Sequence, residues 1–264
     1  MKIKYLFFII LVFGILSCVP EPLSCKRGGK AIGVVKVDLD LRSSVLRTQE
    51  ALIGNFITDA VDYFIKNNER IKSKLNTLSI DNVDFVVING GAIRHCSSSL
   101  IIEKGSDFTT GMIDELLPFD PQLYLVELTG SEVKELFEHS VAKIEEQKGQ
   151  FLQVSNQVKV VYDKTKKPET LIKKSEDEYE IDFGGERVKS ITINNIKVDP
   201  VKNYYVALPA YLANGGDQYV VLSLLDDAKK IDLSITYQEI LLEYFNVFVD
   251  VNPKIEGRIV YENE

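Results

Sequence analysis

The chain has 264 residues, with 31 basic against 39 acidic side chains and a formal charge of −8. That balance gives no global attraction for nucleic acid or anionic lipid, so a phosphate site has to be a local concentration of arginine. The roughly 230 residues that follow an N-terminal leader are enough to bury a substantial core as one domain.

The leader comes first in chain order. Lys2 and Lys4 precede an apolar run from Tyr5 to Leu16 that is too short to cross a bilayer as a helix. This is the layout of a secretory signal peptide over residues 1–17. Its end, ILSC, resembles a bacterial lipobox, which implies that Cys18 becomes the lipidated first residue of the mature chain. An uncleaved anchor helix is the alternative. Both imply an exported protein attached to a bacterial membrane, on its periplasmic face or outer surface. Loss of Lys2 and Lys4 with the leader leaves 29 basic against 39 acidic residues. Residues 18–31, with two prolines and a Gly-Gly, read as a flexible tether. Such a compartment permits a disulfide between Cys25 and Cys96, with two free thiols or an intermolecular pairing as alternatives.

Alternation and valine content make AIGVVKVDLDL, in the 32–42 region, a strand. From Thr48 onward Leu52, Phe56, Ala60 and Phe64, with Ile57, Val61 and Ile65 beside them, recur at helical spacing. Thr48 is the expected N-cap, Glu50 lies in the first turn, and Gly54 inside the helix points to close packing. DFVVI (84–88) is a continuous apolar run of strand length, the pattern of a strand buried on both faces. TTGMIDELLPF reads as a short helix stopped by Pro118, and QLYLVEL as a strand. SEVKELFEHSVAKIEE reads as a helix with Val133, Leu136, Phe137 and Val141 on one face. Ser131 is its expected N-cap, with Glu132 and Glu135 near the positive end of the dipole. The second half is mostly β, in QVKVVYD, EYEIDF, VKSITINNIKV and YYVALPAYL, followed by a helix over 236–248 and a last strand, RIVYE. DKTKKPETLIKKSEDEYE lacks a sustained period and reads as a solvated hairpin loop. These elements predict an α+β (mixed α/β) single domain over 32–264, with a mixed β-sheet flanked by helices.

Of the two histidines, His95 and His139, the second falls in an amphipathic helix and reads as a surface or boundary residue. No H-x-H, D-x-H, H-E-x-x-H or C-x-x-C spacing offers a metal ligand set, and no G-x-S-x-G elbow or Walker loop is present. No catalytic residue, metal site or cofactor is therefore predicted. What the chain offers is binding groups at strand ends. INGGAIR follows the buried strand, and Arg94 there either forks onto a phosphate or carboxylate or pairs with a neighbouring acid. Phe119 follows a helix-ending proline and is either exposed or core. A second Asn-Gly-Gly, in PAYLANGGDQY, joins Tyr211 to Asp217. An aromatic and an acceptor carboxylate suit a base and a sugar, although Asp in a glycine turn is also common without function.

Taken in order, RTQEALIGNFITDA, VVINGGAIR, ELLPFDPQLYLVELTGSEVKELFE, GQFLQVS and YYVALPAYLANGGDQY resemble the C-terminal domain of the 5′-nucleotidase family, from about Val34 to Val260. In that family this domain binds the nucleotide, while an N-terminal metallophosphoesterase domain supplies the metals and the attacking water. By motif position, the resemblance implies that Arg47 and Arg94 hold the anionic part of the ligand. It implies that Asn89, followed by Gly90 and Gly91, hydrogen-bonds the base, and that Phe119 and Tyr211 sandwich it. Asp217, after Gly215 and Gly216, then holds the ribose hydroxyls. Tyr211 replaces the more usual phenylalanine, Ala92 a third glycine, and Gln218 the glycine after the acid, while Pro121 stiffens the loop carrying Phe119.

Only a short tether precedes the matching region, so a metallophosphoesterase domain is expected in a separate chain if anywhere. The expected function is a lipid-anchored module that binds a nucleotide or nucleoside, of the adenosine, AMP or UDP-sugar kind, without hydrolysing it alone. One alternative is the specificity subunit of a split 5′-nucleotidase. Another is a surface interaction protein whose pocket has decayed.

Overall fold

A computed structural model describes residues 28–95, 99–176 and 178–262. The signal peptide, Cys18, and both cysteines of the Cys25–Cys96 pair lie outside the described residues.

The strand Phe85–Asn89 is buried at every position, as its unbroken apolar run requires. Phe85 and Val87 pack with Val133, Leu136, Phe137 and Val141 of the helix Gly130–Val141. Val86 and Ile88 pack on the other side with Ile53, Ile57 and Val61 of the helix Leu52–Asn67. The strand sits in a five-stranded mixed sheet in the order Lys230–Thr236, Gln122–Thr129, Asn203–Pro209, Phe85–Asn89, Leu152–Val154. Asn203–Pro209 and Phe85–Asn89 run parallel, and the other pairs are antiparallel. Beside it lie a four-stranded sheet, in the order Ile196–Lys197, Val188–Ile193, Val158–Tyr162, Ile259–Tyr261, a small three-stranded one and two two-stranded ones. The expected mixed α/β single domain is therefore the fold. Among the described residues no helix is long and apolar enough to cross a membrane.

Several local expectations are corrected. AIGVVKVDLDL divides into Ala31–Val35 and Leu39–Asp40, which pair with different partners. The first long helix starts at Leu52 with Ala51 as N-cap, so Thr48 does not cap it. The Thr48 hydroxyl instead donates to the Ser44 carbonyl of a short helix, Ser43–Leu46. The helix start is held from a distance: Gln153 Oε1 accepts the Ala51 N–H at 2.9 Å, and Gln153 Nε2 donates to the carbonyls of Leu46 and Gln49. A Cβ at Gly54 would lie 2.5 Å from that Gln153 side chain, which is the close packing the glycine suggested. Thr129, not Ser131, caps the helix Gly130–Val141, in a capping box with Glu132, because the strand runs straight into the helix. Ala210–Ala213 is a short helix, so the strand ends at Pro209. The helix expected over 236–248 is Tyr237–Tyr244, capped by Thr236 and Glu239. The charged run read as a hairpin loop contains the strand Thr170–Lys173, which pairs antiparallel with Tyr179–Phe183.

Candidate functional site

The two Asn-Gly-Gly turns meet because of strand direction. Asn89 ends one strand, and Asn214 lies one short helix beyond the end of its parallel neighbour, Asn203–Pro209. Parallel pairing sets both C-terminal ends on one edge of the sheet, where ligands of open α/β sheets bind. The first turn is pressed into place by backbone. A Cβ on Gly90 would lie 2.3 Å from the Leu46 carbonyl oxygen, and one on Gly91 would lie 2.8 Å from the Gly149 Cα. Only glycine permits both approaches, and the first brings Arg47 beside the turn.

Asp217 joins the turns. Asn89, almost fully buried, donates from Nδ2 to Asp217 Oδ2 at 2.7 Å. The Tyr211 hydroxyl donates to Asp217 Oδ1 at 3.0 Å and accepts the Asp217 N–H at 2.9 Å. Gly215 and Asp217 both take left-handed backbone, at φ 82° and 53°, and Gly216 lies against the Tyr211 ring. Tyr211 is 55% exposed and Phe119 is 65% exposed, so neither ring is core.

Arg94 lies with its guanidinium carbon 5.0 Å from the centroid of the Phe119 ring, a cation–π contact. Burial, and then the nearby charge of Arg47, lower its basicity from the ordinary arginine value, and Asp217 acts in the opposite direction. The two arginines are thus like charges at close quarters. Their hydrogen bonds among the described residues go to backbone carbonyls, Gln147 for Arg47 and Gly91 for Arg94. Arg47 Nε and Asn89 Oδ1 are buried without a hydrogen-bond partner. Leaving such groups unmet costs about 1–3 kcal/mol each. The six chemistry-bearing side chains singled out from the sequence therefore form one connected set, through Asp217 on one side and Arg94 on the other.

The family model of the 5′-nucleotidase C-terminal domain matches residues 31–223. The chain belongs to the 5′-nucleotidase C-terminal domain family. It is 32% identical to the mouse (Mus musculus) 5′-nucleotidase over 231 residues, covering 87% of this chain and 36% of that protein. It is 31% identical to a snake venom 5′-nucleotidase of Macrovipera lebetinus, covering 87% of this chain and 52% of the other. The crystal structure of a 5′-nucleotidase precursor from Thermus thermophilus superposes with a TM-score of 0.70 at 26% identity, over 89% of this chain and 40% of that one. The Haemophilus influenzae NAD nucleotidase shares the fold, with a TM-score of 0.64 at 19% identity over 88% and 38% of the two chains. The chain spans between about a third and about a half of the length of these proteins.

Within this 5′-nucleotidase domain, sequence reasoning missed the support beneath Asp217. His139, expected at the surface, is 2% exposed. Its Nε2 lies 2.9 Å from the Asp217 carbonyl oxygen and its Nδ1 lies 2.5 Å from Glu169 Oε1. The Asp217 carbonyl can only accept, so Nε2 donates to it, and Nδ1 shares a hydrogen bond with the Glu169 carboxyl that fixes the ring's orientation. Glu169 is itself buried and comes from the charged run read as solvated loop. Gly149, inside the GQFLQVS motif, abuts both Gly91 and Asp217. Lys143 Nζ donates to Gln218 Oε1 at 3.2 Å, which occupies the residue that replaces a glycine after the acid. Among the described residues, no group of three or more His, Cys, Asp or Glu is placed to hold a metal ion.

Proposed function

We propose that this chain binds a nucleotide or nucleoside at the joined Asn-Gly-Gly turns and does not hydrolyse it alone. The observation that carries this is the connected set around Asp217 and Arg94. Two guanidiniums suit an anionic group, the exposed Phe119 and Tyr211 rings suit a base, and the Asp217 carboxylate suits sugar hydroxyls. The unmet Asn89 Oδ1 and Arg47 Nε are an acceptor and a donor of the kinds a base edge and a phosphate would satisfy. Stacking a base on an aromatic contributes about 1–3 kcal/mol. Calorimetric titration with AMP, adenosine and a UDP-sugar tests the proposal. Saturable heat is expected for at least one of them, with the phosphate-bearing form tighter than its nucleoside. No heat and no thermal shift at millimolar ligand would overturn it.

A companion reading is favoured by the partial coverage of relatives that are whole 5′-nucleotidases. Here the chain supplies the specificity half, and a metallophosphoesterase on another polypeptide supplies turnover. Phosphate release from AMP with a divalent cation is then expected only after that partner is added. Export and lipid attachment through Cys18 belong to the same proposal and rest on the leader and the ILSC motif. Metabolic labelling with palmitate should mark the wild-type protein in membranes. Cys18→Ser should remove the label and release the protein; a label retained on C18S would exclude that anchor.

A further inference from the structure

We infer that the Tyr211 hydroxyl is a specificity-determining group that competes with a ligand's vicinal diol for Asp217, an inference that rests on the nucleotide-binding reading above. Every polar atom of Asp217 is already engaged within the chain. Oδ2 takes the Asn89 amide at 2.7 Å, Oδ1 takes the Tyr211 hydroxyl at 3.0 Å, and the backbone N–H donates back to that hydroxyl at 2.9 Å. The carbonyl accepts from His139 at 2.9 Å. A carboxylate receives a vicinal diol best with one hydroxyl on each oxygen, in the fork geometry of other two-point partners. The Tyr211 clasp occupies one prong of that fork and the adjacent backbone donor with it.

The two side-chain partners of Asp217 differ in how readily they leave. Asn89 is buried at the end of a central strand, whereas Tyr211 is 55% exposed on a short helix. Tyrosine is therefore the partner a ligand displaces. Burial, together with the Asp217 charge, pushes the phenol above the ordinary tyrosine value, so it stays a neutral donor at neutral pH. Phenylalanine at this position keeps the ring and lacks the clasp. The turn does not depend on the clasp, because His139 holds the Asp217 carbonyl and Asn89 holds Oδ2. Losing the hydroxyl then frees Oδ1 and the Asp217 N–H without releasing the loop.

The test is to titrate AMP and UMP, and the 2′,3′-dideoxy counterpart of each, into wild-type protein and Tyr211→Phe. Thermal unfolding of both proteins serves as the folding control. The diol-bearing nucleotide is expected to bind Y211F about tenfold tighter than wild type, the effect of removing one competing charge-assisted hydrogen bond. The dideoxy form should change by no more than about twofold, since it has nothing to place on Asp217. Unchanged or weaker binding of the diol form by Y211F overturns the inference while leaving the binding site in place. An equal gain for both forms also overturns it, since the hydroxyl would then be acting on something other than the diol. If no nucleotide binds either protein, the binding reading itself fails and the inference falls with it.

Discussion

Replacing Arg94 by methionine is expected to lower affinity for AMP about ten- to a hundredfold, while affinity for adenosine changes by no more than about threefold. Arg94 presents a half-buried guanidinium over the exposed Phe119 ring, and its fixed hydrogen bond goes to the Gly91 carbonyl. Its remaining donors are available to an anion, and hydrogen bonds to charged groups contribute about 1.5–3 kcal/mol each. Methionine keeps an unbranched apolar stem against Phe119 and removes only the charge. Arg47→Met should behave in the same way, with a second consequence that separates this reading from a structural one. Burial and then the nearby Arg47 charge disfavour the charged state of Arg94 in the ligand-free protein. Removing either arginine relieves that repulsion, so each variant should unfold at an unchanged or slightly higher temperature without ligand. On the proposed reading the two residues share one anion, so the double variant should lose less affinity than the product of the single losses. Calorimetry with AMP and adenosine, beside thermal unfolding, checks all three expectations. Equal losses for the nucleotide and the nucleoside would place Arg94 away from the phosphate.

The parts of this molecule legible from sequence are those whose cause is local. The apolar run 84–88 had to be a strand covered on both sides, and Phe85–Asn89 is one, with Val86 and Ile88 in one cluster and Phe85 and Val87 in the other. Val133, Leu136, Phe137 and Val141 recur at helical spacing and are all buried on one helix. Neither expected N-cap held: Thr129, two residues before Ser131, caps the helix Gly130–Val141 because the strand runs directly into it. Thr48 failed because the first turn of its helix is held by Gln153, which arrives from a distant strand. The same division runs through the site. The five ordered motifs pointed to Arg47, Asn89, Arg94, Phe119, Tyr211 and Asp217. What brings the two turns together is the parallel pairing of Phe85–Asn89 with Asn203–Pro209, which no local pattern displays. His139 was misread for a related reason. An amphipathic helix assigns a polar residue to its outer face unless a partner for it is known, and that partner, Glu169, stands in a run of lysines and acids that looks solvated.

That buried pair gives the other large expected effect. His139→Ala should lower stability by about 3–5 kcal/mol, because the buried Glu169 carboxyl is left without its partner. For a domain of this size that corresponds to a melting temperature lower by roughly 6–20 °C, at about 2–4 °C per kcal/mol. Lost stability alone would not show that the pair matters to the site, so the informative variant is H139L/E169L. Replacing a buried ion pair by apolar side chains of similar volume is often neutral or stabilising, so the double variant should regain most of the lost melting temperature. It has nothing to donate to the Asp217 carbonyl, which His139 Nε2 meets at 2.9 Å in the wild-type chain. Asp217 holds left-handed backbone at φ 53°, a conformation that costs a non-glycine residue roughly 1–2 kcal/mol and relaxes when its restraint goes. The regained fold should therefore bind AMP at least about tenfold more weakly than wild type, with the loss concentrated in ligands that carry a vicinal diol. A double variant that melts like wild type and binds like wild type would make His139 and Glu169 a packing pair and nothing more. One that melts like wild type and fails to bind makes the His139 ring the group that aims Asp217.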